Sequence, residues 1–290
     1  MMDFITTFSL LFMYLFTSTC CVHVPDSSLK SFSEKLLLSD TNNVGQLINV
    51  DVQNRLSYGV TDDLAPKNLL SLQKEIFSVP TVSKLMKLYD NYDLNAFNNE
   101  IITTEEKREE EALLEAFLNT TVMTETKNFL QSNNLISKND NAFKKMLADL
   151  WFTPYSRGKK KVGSSAFEHI FLAELKNNDL VGLHNWLYFS HEENRGNLNY
   201  LGWVKKLFFP NKRGTGVLKL KYSWGKSVKH AGTIFIGTSP EFEMSLYTVC
   251  FLARPNDKCH ITLDGKQLHI QTYPFVYQGK TLISSAYPVI

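Results

Sequence analysis

Two histidines, His169 and His184, lie in one stretch whose composition favours a β-hairpin, Phe167 to Trp186. Its arms are rich in aliphatic, β-branched and aromatic residues, and Asn177-Asn178 suits the turn because asparagine tolerates positive φ. With that pair as the turn, the two histidines are diagonal neighbours on one face, about 7–8 Å apart. A register shifted by one residue places them directly opposite each other. Either register sets two imidazoles beside one gap, which suits paired proton transfer.

Signatures of several other chemistries are missing from the chain. It contains no GxGxxG, Walker loop, HExxH, CxxC pair or GxSxG motif. These are the commonest motifs of dinucleotide-binding proteins, phosphate-loop enzymes, zinc enzymes and serine hydrolases, so their absence argues against those classes.

Two histidines and one lysine suffice for transesterification of RNA by its own 2′-hydroxyl. A neutral imidazole takes the 2′-hydroxyl proton, an imidazolium protonates the leaving 5′-oxygen, and a lysine stabilises charge on the phosphorane. Histidine suits both roles because its unperturbed pKa is about 6.5. The reaction requires a 2′-hydroxyl, so it selects RNA over DNA, and it requires no metal.

Residue type alone does not assign every role in such a site. It leaves open which histidine is the base, and which downstream lysine takes part among Lys219, Lys221, Lys226 and Lys229. A basic run at residues 157–161 precedes the histidines. Such a run predicts either a solvated loop or a surface that steers the phosphate backbone.

The composition is that of an ordinary globular protein. Hydrophobic residues make up 43% of the 290 residues, and the net charge is +2. A chain of this length can form one large domain or two lobes. Because the net charge is nearly neutral, any site for a polyanion must come from local clustering of charge.

The N-terminus predicts a secreted protein. Phe4 to Phe16 is apolar apart from hydroxyl residues and is followed by small and polar residues, so we interpret residues 1–21 as a signal peptide. The apolar run is short for a transmembrane helix, and no stable membrane association is expected. An uncleaved signal anchor is the alternative, because Asp3 stands where signal peptides carry a basic residue.

Two further features agree with secretion. Cleavage near Cys21 leaves Cys250 and Cys259, which we expect to form a disulfide in an oxidising compartment. A buried free thiol at Cys250 is the alternative. Asn119 begins an Asn-Thr-Thr glycosylation sequon.

The periodicity predicts an α+β protein: a helical N-terminal lobe, residues 22–153, followed by a mostly antiparallel β lobe, residues 154–290. Thr103 and Glu106 form a capping box for a helix, Pro66 and Pro80 each suit a first helical turn, and Asp140 suits an N-cap.

The second lobe is predicted to consist of strands interrupted by one helix. Strands are expected at residues 217–224, 233–237, 260–263, 267–273 and 282–287. Ser239 caps the helix and Pro240 occupies its first position. A helix N-terminus can bind an anion or a carbonyl oxygen, so Ser239 has either a substrate role or a capping role alone.

Several motifs in this order resemble the EndoU (XendoU-like, poly(U)-specific) endoribonuclease family, from about Leu29 to the end of the chain. They are Tyr58-Gly59 with Asp63-Leu64-Ala65-Pro66, Asp90-Asn91-Tyr92, Trp151-Phe152-x-x-Tyr155-Ser156-Arg157, Glu168-His169-x-Phe171-x-x-Glu174, Gly182-x-His184-Asn185-Trp186, Lys229-x-x-Gly232-x-x-Phe235-x-Gly237-x-Ser239-Pro240-Glu241-Phe242-Glu243 and Ser285-Ala286-Tyr287-Pro288.

The resemblance implies a uridylate-preferring endoribonuclease that leaves a 2′,3′-cyclic phosphate and a 5′-hydroxyl. His169, His184 and Lys229 match the family's catalytic residues, and the resemblance favours His184 as base and His169 as acid. Ser239 and Tyr287 match positions tied to uridine recognition and substrate placement.

The resemblance also implies supporting residues and partners. Glu168 and Glu174 match acidic residues linked to activity, and Glu168 is expected to support the site rather than donate a proton. The implied cofactor is Mn²⁺, with ligands that the sequence does not identify. The implied partner is single-stranded uridine-containing RNA and not DNA, and a monomer is expected.

Two other functions compete with this interpretation. One is an RNA-binding protein on the same scaffold with weak or lost turnover, which the intact pair His169 and His184 argues against. The other is a secreted interaction or protease-like protein. No nucleophile and base support that function, since Ser239 lacks a Gly-x-Ser-x-Gly elbow.

Overall fold

The computed structural model describes residues 23–56 and 62–290. The predicted signal peptide, residues 1–21, and the Tyr58-Gly59 motif lie outside these residues. Within them, no helix has the length and apolar character needed to cross a membrane.

The first part of the chain is mainly helical. Its helices and its one small antiparallel sheet are α1 (Asp26–Leu38), β1 (Ile48–Val50), β2 (Leu70–Leu72), α2 (Pro80–Lys87), α3 (Thr104–Leu118), α4 (Thr121–Ser132) and α5 (Asp140–Phe152).

Local sequence signals explain where α2, α3 and α5 begin. The capping box is confirmed: the Glu106 amide donates to Thr103 Oγ1 at 3.2 Å, and the Thr103 amide donates to Glu106 Oε2 at 2.5 Å. Pro80 opens α2 as predicted. Two predictions are wrong. No helix follows Pro66, since the chain there is irregular up to β2. Helix α5 is capped by Asn139, whose Oδ1 accepts the Asn141 amide at 2.9 Å.

The second part contains two three-stranded antiparallel sheets with the strand orders β5-β6-β7 and β10-β9-β8. Its elements are α6 (Ala166–Phe171), β3 (Ala173–Lys176), β4 (Asp179–Gly182), α7 (Trp186–Asn194), β5 (Leu198–Phe208), β6 (Gly216–Trp224), β7 (Ser227–Ile236), α8 (Pro240–Ala253), β8 (Lys258–Leu263), β9 (Lys266–Tyr277) and β10 (Lys280–Val289). The predicted α+β class is confirmed. α7 and β5 were not expected from the sequence.

The predicted hairpin is correct at its centre and wrong at its ends. Asn177 and Asn178 form the turn with positive φ, and β3 pairs with β4 in the first of the two registers considered. The strands end at residues 173 and 182, however, so His169 lies in α6 and His184 in the loop before α7.

Side-chain caps account for this difference. Ser165 Oγ accepts the Glu168 amide at 3.1 Å and starts α6. Asn185 Oδ1 accepts the amides of Leu187 and Tyr188 at 3.1 and 3.2 Å and starts α7. Each cap satisfies backbone donors that a longer hairpin would have to pair elsewhere.

One continuous hydrophobic core joins the helices to the sheets. It includes Leu36 from α1, Trp151 from α5, Phe235 from β7 and Ile270 from β9. α8 is buried along nearly its whole length and contacts α2, α4, β9 and β10. β10 also contacts β7 and α6, which brings the C-terminal strand beside the two histidines.

The predicted disulfide is confirmed. Cys250, near the end of α8, is bonded to Cys259 in β8, with the Cα atoms 5.4 Å apart. Both residues are fully buried, so the bond joins α8 to the edge strand of the second sheet inside the core.

Reduction of this disulfide should lower stability without changing the fold. The bond closes a loop between positions nine residues apart, and loop-closure entropy predicts a loss of about 2–3 kcal/mol in the free energy of unfolding. Urea denaturation of the double variant Cys250→Ala, Cys259→Ala and of the wild type measures this loss. Coincident unfolding curves would contradict the prediction.

Candidate active site

A cleft of about 530 Å³ lies where β4, β7 and β10 meet. Its lining includes one glycine and seven polar or ionisable residues: Gly182, His169, His184, Lys219, Lys229, Thr233, Ser285 and Tyr287. The structure therefore brings together four of the predicted site residues: His169, His184, Lys229 and Tyr287.

Backbone hydrogen bonds place the two histidines side by side. The amide of Leu183 donates to the His169 carbonyl and the amide of His184 donates to the Ile170 carbonyl, each at 2.9 Å. The imidazole centroids are 6.2 Å apart. Gly182 makes this approach possible, because its φ is +70° and a Cβ there would lie 2.0 Å from the His169 carbonyl oxygen.

The hydrogen bond of His184 determines which ring nitrogen carries the proton. Its Nδ1 lies 3.1 Å from the carbonyl oxygen of Thr233. A carbonyl oxygen can only accept, so Nδ1 is the donor and the neutral ring has a free lone pair on Nε2. This tautomer suits a general base.

His169 has a different partner. Its Nδ1 lies 2.6 Å from Glu174 Oε2, and the same oxygen lies 3.0 Å from Arg157 Nε. Burial raises the pKa of Glu174, but His169 and Arg157 lower it by more, so the carboxyl is ionised. An ionised carboxylate on Nδ1 stabilises the imidazolium and leaves an N–H on Nε2. His169 therefore suits the general acid.

Burial makes both histidines harder to protonate. It lowers the pKa of His169 to about 4, helped by Arg157 and opposed by Glu174. Burial also lowers the pKa of His184, and the nearby charges of Lys229 and His169 act in the same direction. Both rings are neutral in the free protein at neutral pH. A bound anion would raise both pKa values, so charging of His169 is coupled to the arrival of a phosphate.

Lys229 supplies the positive charge of the cleft. It lies in β7, and its ammonium donates to the carbonyl of Gly182, beside His169 and His184. Burial lowers the pKa of Lys229 to about 8, while Glu174 opposes this shift. The group remains mostly protonated at neutral pH and can stabilise a developing negative charge.

Tyr287 forms an aromatic wall. Its ring stacks on His184 with the centroids 4.9 Å apart, and its hydroxyl lies 3.3 Å from the hydroxyl of Tyr273. Ser285, two residues earlier in β10, and Thr233 in β7 also face the cleft. The arrangement offers one flat ring and two short hydroxyl side chains beside a proton-transfer pair.

Residues 28–288 match the family model for Endoribonuclease XendoU. The chain belongs to this family. It is 38% identical to the uridylate-specific endoribonuclease EndoU of Drosophila melanogaster, over 91% of this chain and 83% of that protein. It is 34% identical to the uridylate-specific endoribonuclease of Homo sapiens, over 92% of this chain and 66% of that protein.

A solved structure supports the same assignment. The structure of XendoU, a splicing independent snoRNA processing endoribonuclease, matches with a TM-score of 0.74 and 31% identity. The match covers 90% of this chain and 96% of that one. The family identifies the chain as an endoribonuclease and agrees with the predicted resemblance.

Three predicted site residues, Ser239, Glu168 and Glu174, do not line the cleft, although Glu174 contacts His169, which does. Ser239 is fully buried, and its Oγ accepts the Phe242 amide at 3.2 Å as the cap of α8. Glu168 is buried in α6, where burial and Glu174 raise its pKa well above the usual value. The substrate role of Ser239 stays a prediction.

The sequence did not single out several residues that shape this XendoU-type site. Thr233 and Ser285 line the cleft, and Thr233 also orients His184. Arg157 belongs to the basic run, but it contacts Glu174 and donates to the carbonyl of Ser284 at 2.7 Å. The alternation of strand residues could have placed Thr233 and Ser285 on the faces of Lys229 and Tyr287.

The described ranges 23–56 and 62–290 contain no group of three or more His, Cys, Asp or Glu side chains placed to hold a metal ion. Beside the cleft, the buried carboxylate of Glu174 is already engaged by His169 and Arg157. These residues do not fit the Mn²⁺ that the resemblance implies. Metal dependence stays a prediction, and no step below passes through a metal.

Glu174→Gln should impair cleavage of RNA and change its pH dependence. Without the anion, the imidazolium of His169 is less stable and its pKa falls further, so less of the acid is protonated at a given pH. We expect kcat to fall about 10²-fold and the alkaline limb of the kcat profile to move to lower pH. Steady-state cleavage across a pH series measures both.

Glu115→Gln is the matched control, because Glu115 is an exposed carboxylate paired with Lys144 at 2.8 Å on the surface. Thermal unfolding of both variants separates a catalytic effect from a loss of folded protein. An unchanged pH profile in folded Glu174→Gln would mean that Glu174 does not act through His169.

Proposed function

We propose that the chain is a secreted, uridylate-preferring endoribonuclease. It cleaves single-stranded RNA by attack of the 2′-hydroxyl and leaves a 2′,3′-cyclic phosphate and a 5′-hydroxyl. The observation that carries this proposal is the pair of different histidine environments at one cleft: a carbonyl on Nδ1 of His184 and a carboxylate on Nδ1 of His169.

The proposed reaction balances with these two groups. His184 Nε2 takes the proton from the 2′-hydroxyl, and the 2′-oxygen forms a bond to phosphorus. The bond from phosphorus to the 5′-oxygen breaks, and His169 Nε2 donates its proton to that oxygen. Lys229 stabilises the negative charge that develops on the phosphorane. DNA lacks the attacking hydroxyl and is not a substrate.

The preference for uridylate is supported by the relatives, whose names describe them as uridylate-specific. Tyr287 would hold the base against its ring, and the hydroxyls of Thr233 and Ser285 would reach its polar edge. Ser239 would act indirectly by fixing α8 behind Thr233. The protein would work as a monomer, with the cleft built from one chain.

His184→Ala and His169→Ala should each abolish most of the cleavage of a uridine-containing oligonucleotide. Loss of a general acid or base costs about 10²–10⁴-fold in rate. His230→Ala is the matched control, because His230 neighbours Lys229 on β7 but is exposed and does not line the cleft. Gel or mass-spectrometric detection of the products from the chain starting at residue 22 measures this, with Mn²⁺ and with a chelator.

The same assay tests the competing functions and the mechanism. A wild type that binds the oligonucleotide and leaves it whole would support the RNA-binding protein with weak turnover. A substrate with 2′-deoxyuridine at the scissile position should resist cleavage completely, and its cleavage would rule out attack by the 2′-hydroxyl. Products without a cyclic phosphate would also contradict the mechanism.

Secretion is supported by the apolar N-terminal stretch, by the buried disulfide and by the position of the sequon. Asn119 is exposed and lies between α3 and α4, where a transferase can reach it. We expect the protein expressed in a eukaryotic secretory host to appear in the medium and to lose apparent mass on deglycosylation. Asn119→Gln should remove that shift, and an intracellular protein without glycan would contradict secretion.

A further inference from the structure

We propose that Lys219 and Lys205 form a second phosphate-binding subsite, which holds a phosphate of the RNA next to the one that is cleaved. The subsite would continue the cleft across the sheet β5-β6-β7, away from the aromatic wall of Tyr287. This inference rests on the proposed function for the identity of the ligand, and the binding measurement below does not require turnover.

The strand register aligns the two lysines with the cleft. Thr233 in β7 pairs with Lys219 in β6, and Lys219 pairs with Lys205 in β5. Directly paired residues share a face of the sheet. Strands are about 4.8 Å apart, so the backbone of Lys205 lies roughly 10 Å from that of Thr233. Lys219 itself lines the cleft.

Neither ammonium group has a partner of its own. Within residues 23–56 and 62–290, Lys219 and Lys205 make no hydrogen bond and no ion pair, although Lys219 is half-buried. Two like charges directly opposite each other in a sheet destabilise it. An anion between them removes that repulsion, which is the physical reason to expect a phosphate there.

The neighbouring positions on this face do not supply that anion. The pair Leu207 and Val217 follows next along the strands, with Phe235 beside Val217 in β7. All three are apolar. Val217 and Phe235 are fully buried, so this face presents two cations beside the open end of the cleft.

Three other basic residues, Lys159, Arg157 and Lys206, are already engaged. The ammonium of Lys159 lies 4.3 Å from the ring centroid of Phe97 and bonds to Asn177 at 3.3 Å. Arg157 contacts Glu174. Lys206, next to Lys205, alternates to the other face and lies 4.3 Å from the ring centroid of Trp203.

The subsite predicts a specific dependence on salt. Each phosphate contact of a single strand contributes about 0.7 to the slope of log affinity against log salt concentration. The double variant should lower that slope by about 0.7, and Lys205→Ala and Lys219→Ala should each lower it by part of that amount, because the two lysines contact one phosphate. At fixed moderate salt, each single variant should bind about two- to fivefold more weakly.

The measurement uses fluorescence anisotropy of a labelled RNA dodecamer with one 2′-deoxyuridine, which the proposed reaction does not cleave. Lys206→Ala is the matched control, since it removes the same charge from the same strand on the opposite face. It should leave the salt slope at the wild-type value. Lys205→Glu should weaken binding more than Lys205→Ala, because Glu pairs with Lys219 in place of the phosphate.

Cleavage kinetics give a second readout. The loss of kcat/KM in Lys205→Ala should be largest on the all-ribose dodecamer and should become smaller as the substrate is shortened toward a dinucleotide. Thermal unfolding should show no loss of stability for Lys205→Ala, because the change removes a repulsion on an exposed edge strand. If Lys219→Ala does not fold, the same measurements are made on Lys219→Gln, which preserves more of the side chain.

The outcomes separate the two proposals. Equal salt slopes for Lys205→Ala and Lys206→Ala would overturn the subsite, as would equal losses on long and short substrates. A wild type that binds RNA with a slope sensitive to Lys205 and Lys219 but never cleaves would overturn the endonuclease function and leave the subsite standing.

Discussion

A buried carboxylate, Glu174, is the interaction on which the catalytic cleft depends. An ionised carboxylate inside a protein costs several kcal/mol of solvation unless charged partners replace the water. Here the partners are His169 and Arg157, and Arg157 in turn bonds to Ser164 at 2.7 Å and to Ser284 at 3.0 Å. One carboxylate therefore fixes the acid, the helix that carries it and the strand that carries Tyr287.

The same arrangement explains how the site can be buried and still act on a charged substrate. Burial lowers the pKa of His169, His184 and Lys229, which keeps repulsion between cations low while the cleft is empty. A bound phosphate would raise these three pKa values, because its negative charge favours the protonated forms. In the proposed reaction, the cleft would acquire its catalytic charges together with its substrate, and Lys219 with Lys205 would extend the attraction beyond His169, His184 and Lys229.

The loop that follows α1 contacts the start of α8, which in turn contacts the site. Asp40 accepts the Ser239 amide at 3.2 Å, and Asn42 donates to Glu241 at 2.6 Å. Glu243, one turn along, accepts from Asn185 at 3.2 Å. Asn185 caps α7 directly after His184. This series of contacts therefore connects the N-terminal part of the chain to the residue that follows His184. Ser239 takes part in these contacts as the cap of α8 and does not line the cleft.

The sequence by itself determined the features whose signals are local. The Asn177-Asn178 turn, the capping box at Thr103, the start of α8 at Pro240 and the α+β class all follow from neighbouring residues. The family motifs identified His169, His184 and Lys229. The sequence did not decide between strand and helix at His169, because strand composition and the Ser165 cap favour different elements, and the structure shows the capped helix with His169 bonded to Glu174. Tertiary structure also decided which strands face the cleft, and hence the parts played by Thr233, Ser285 and Lys219. Those residues are far apart in sequence and meet only through sheet register and strand contacts, which residue spacing along one element does not encode.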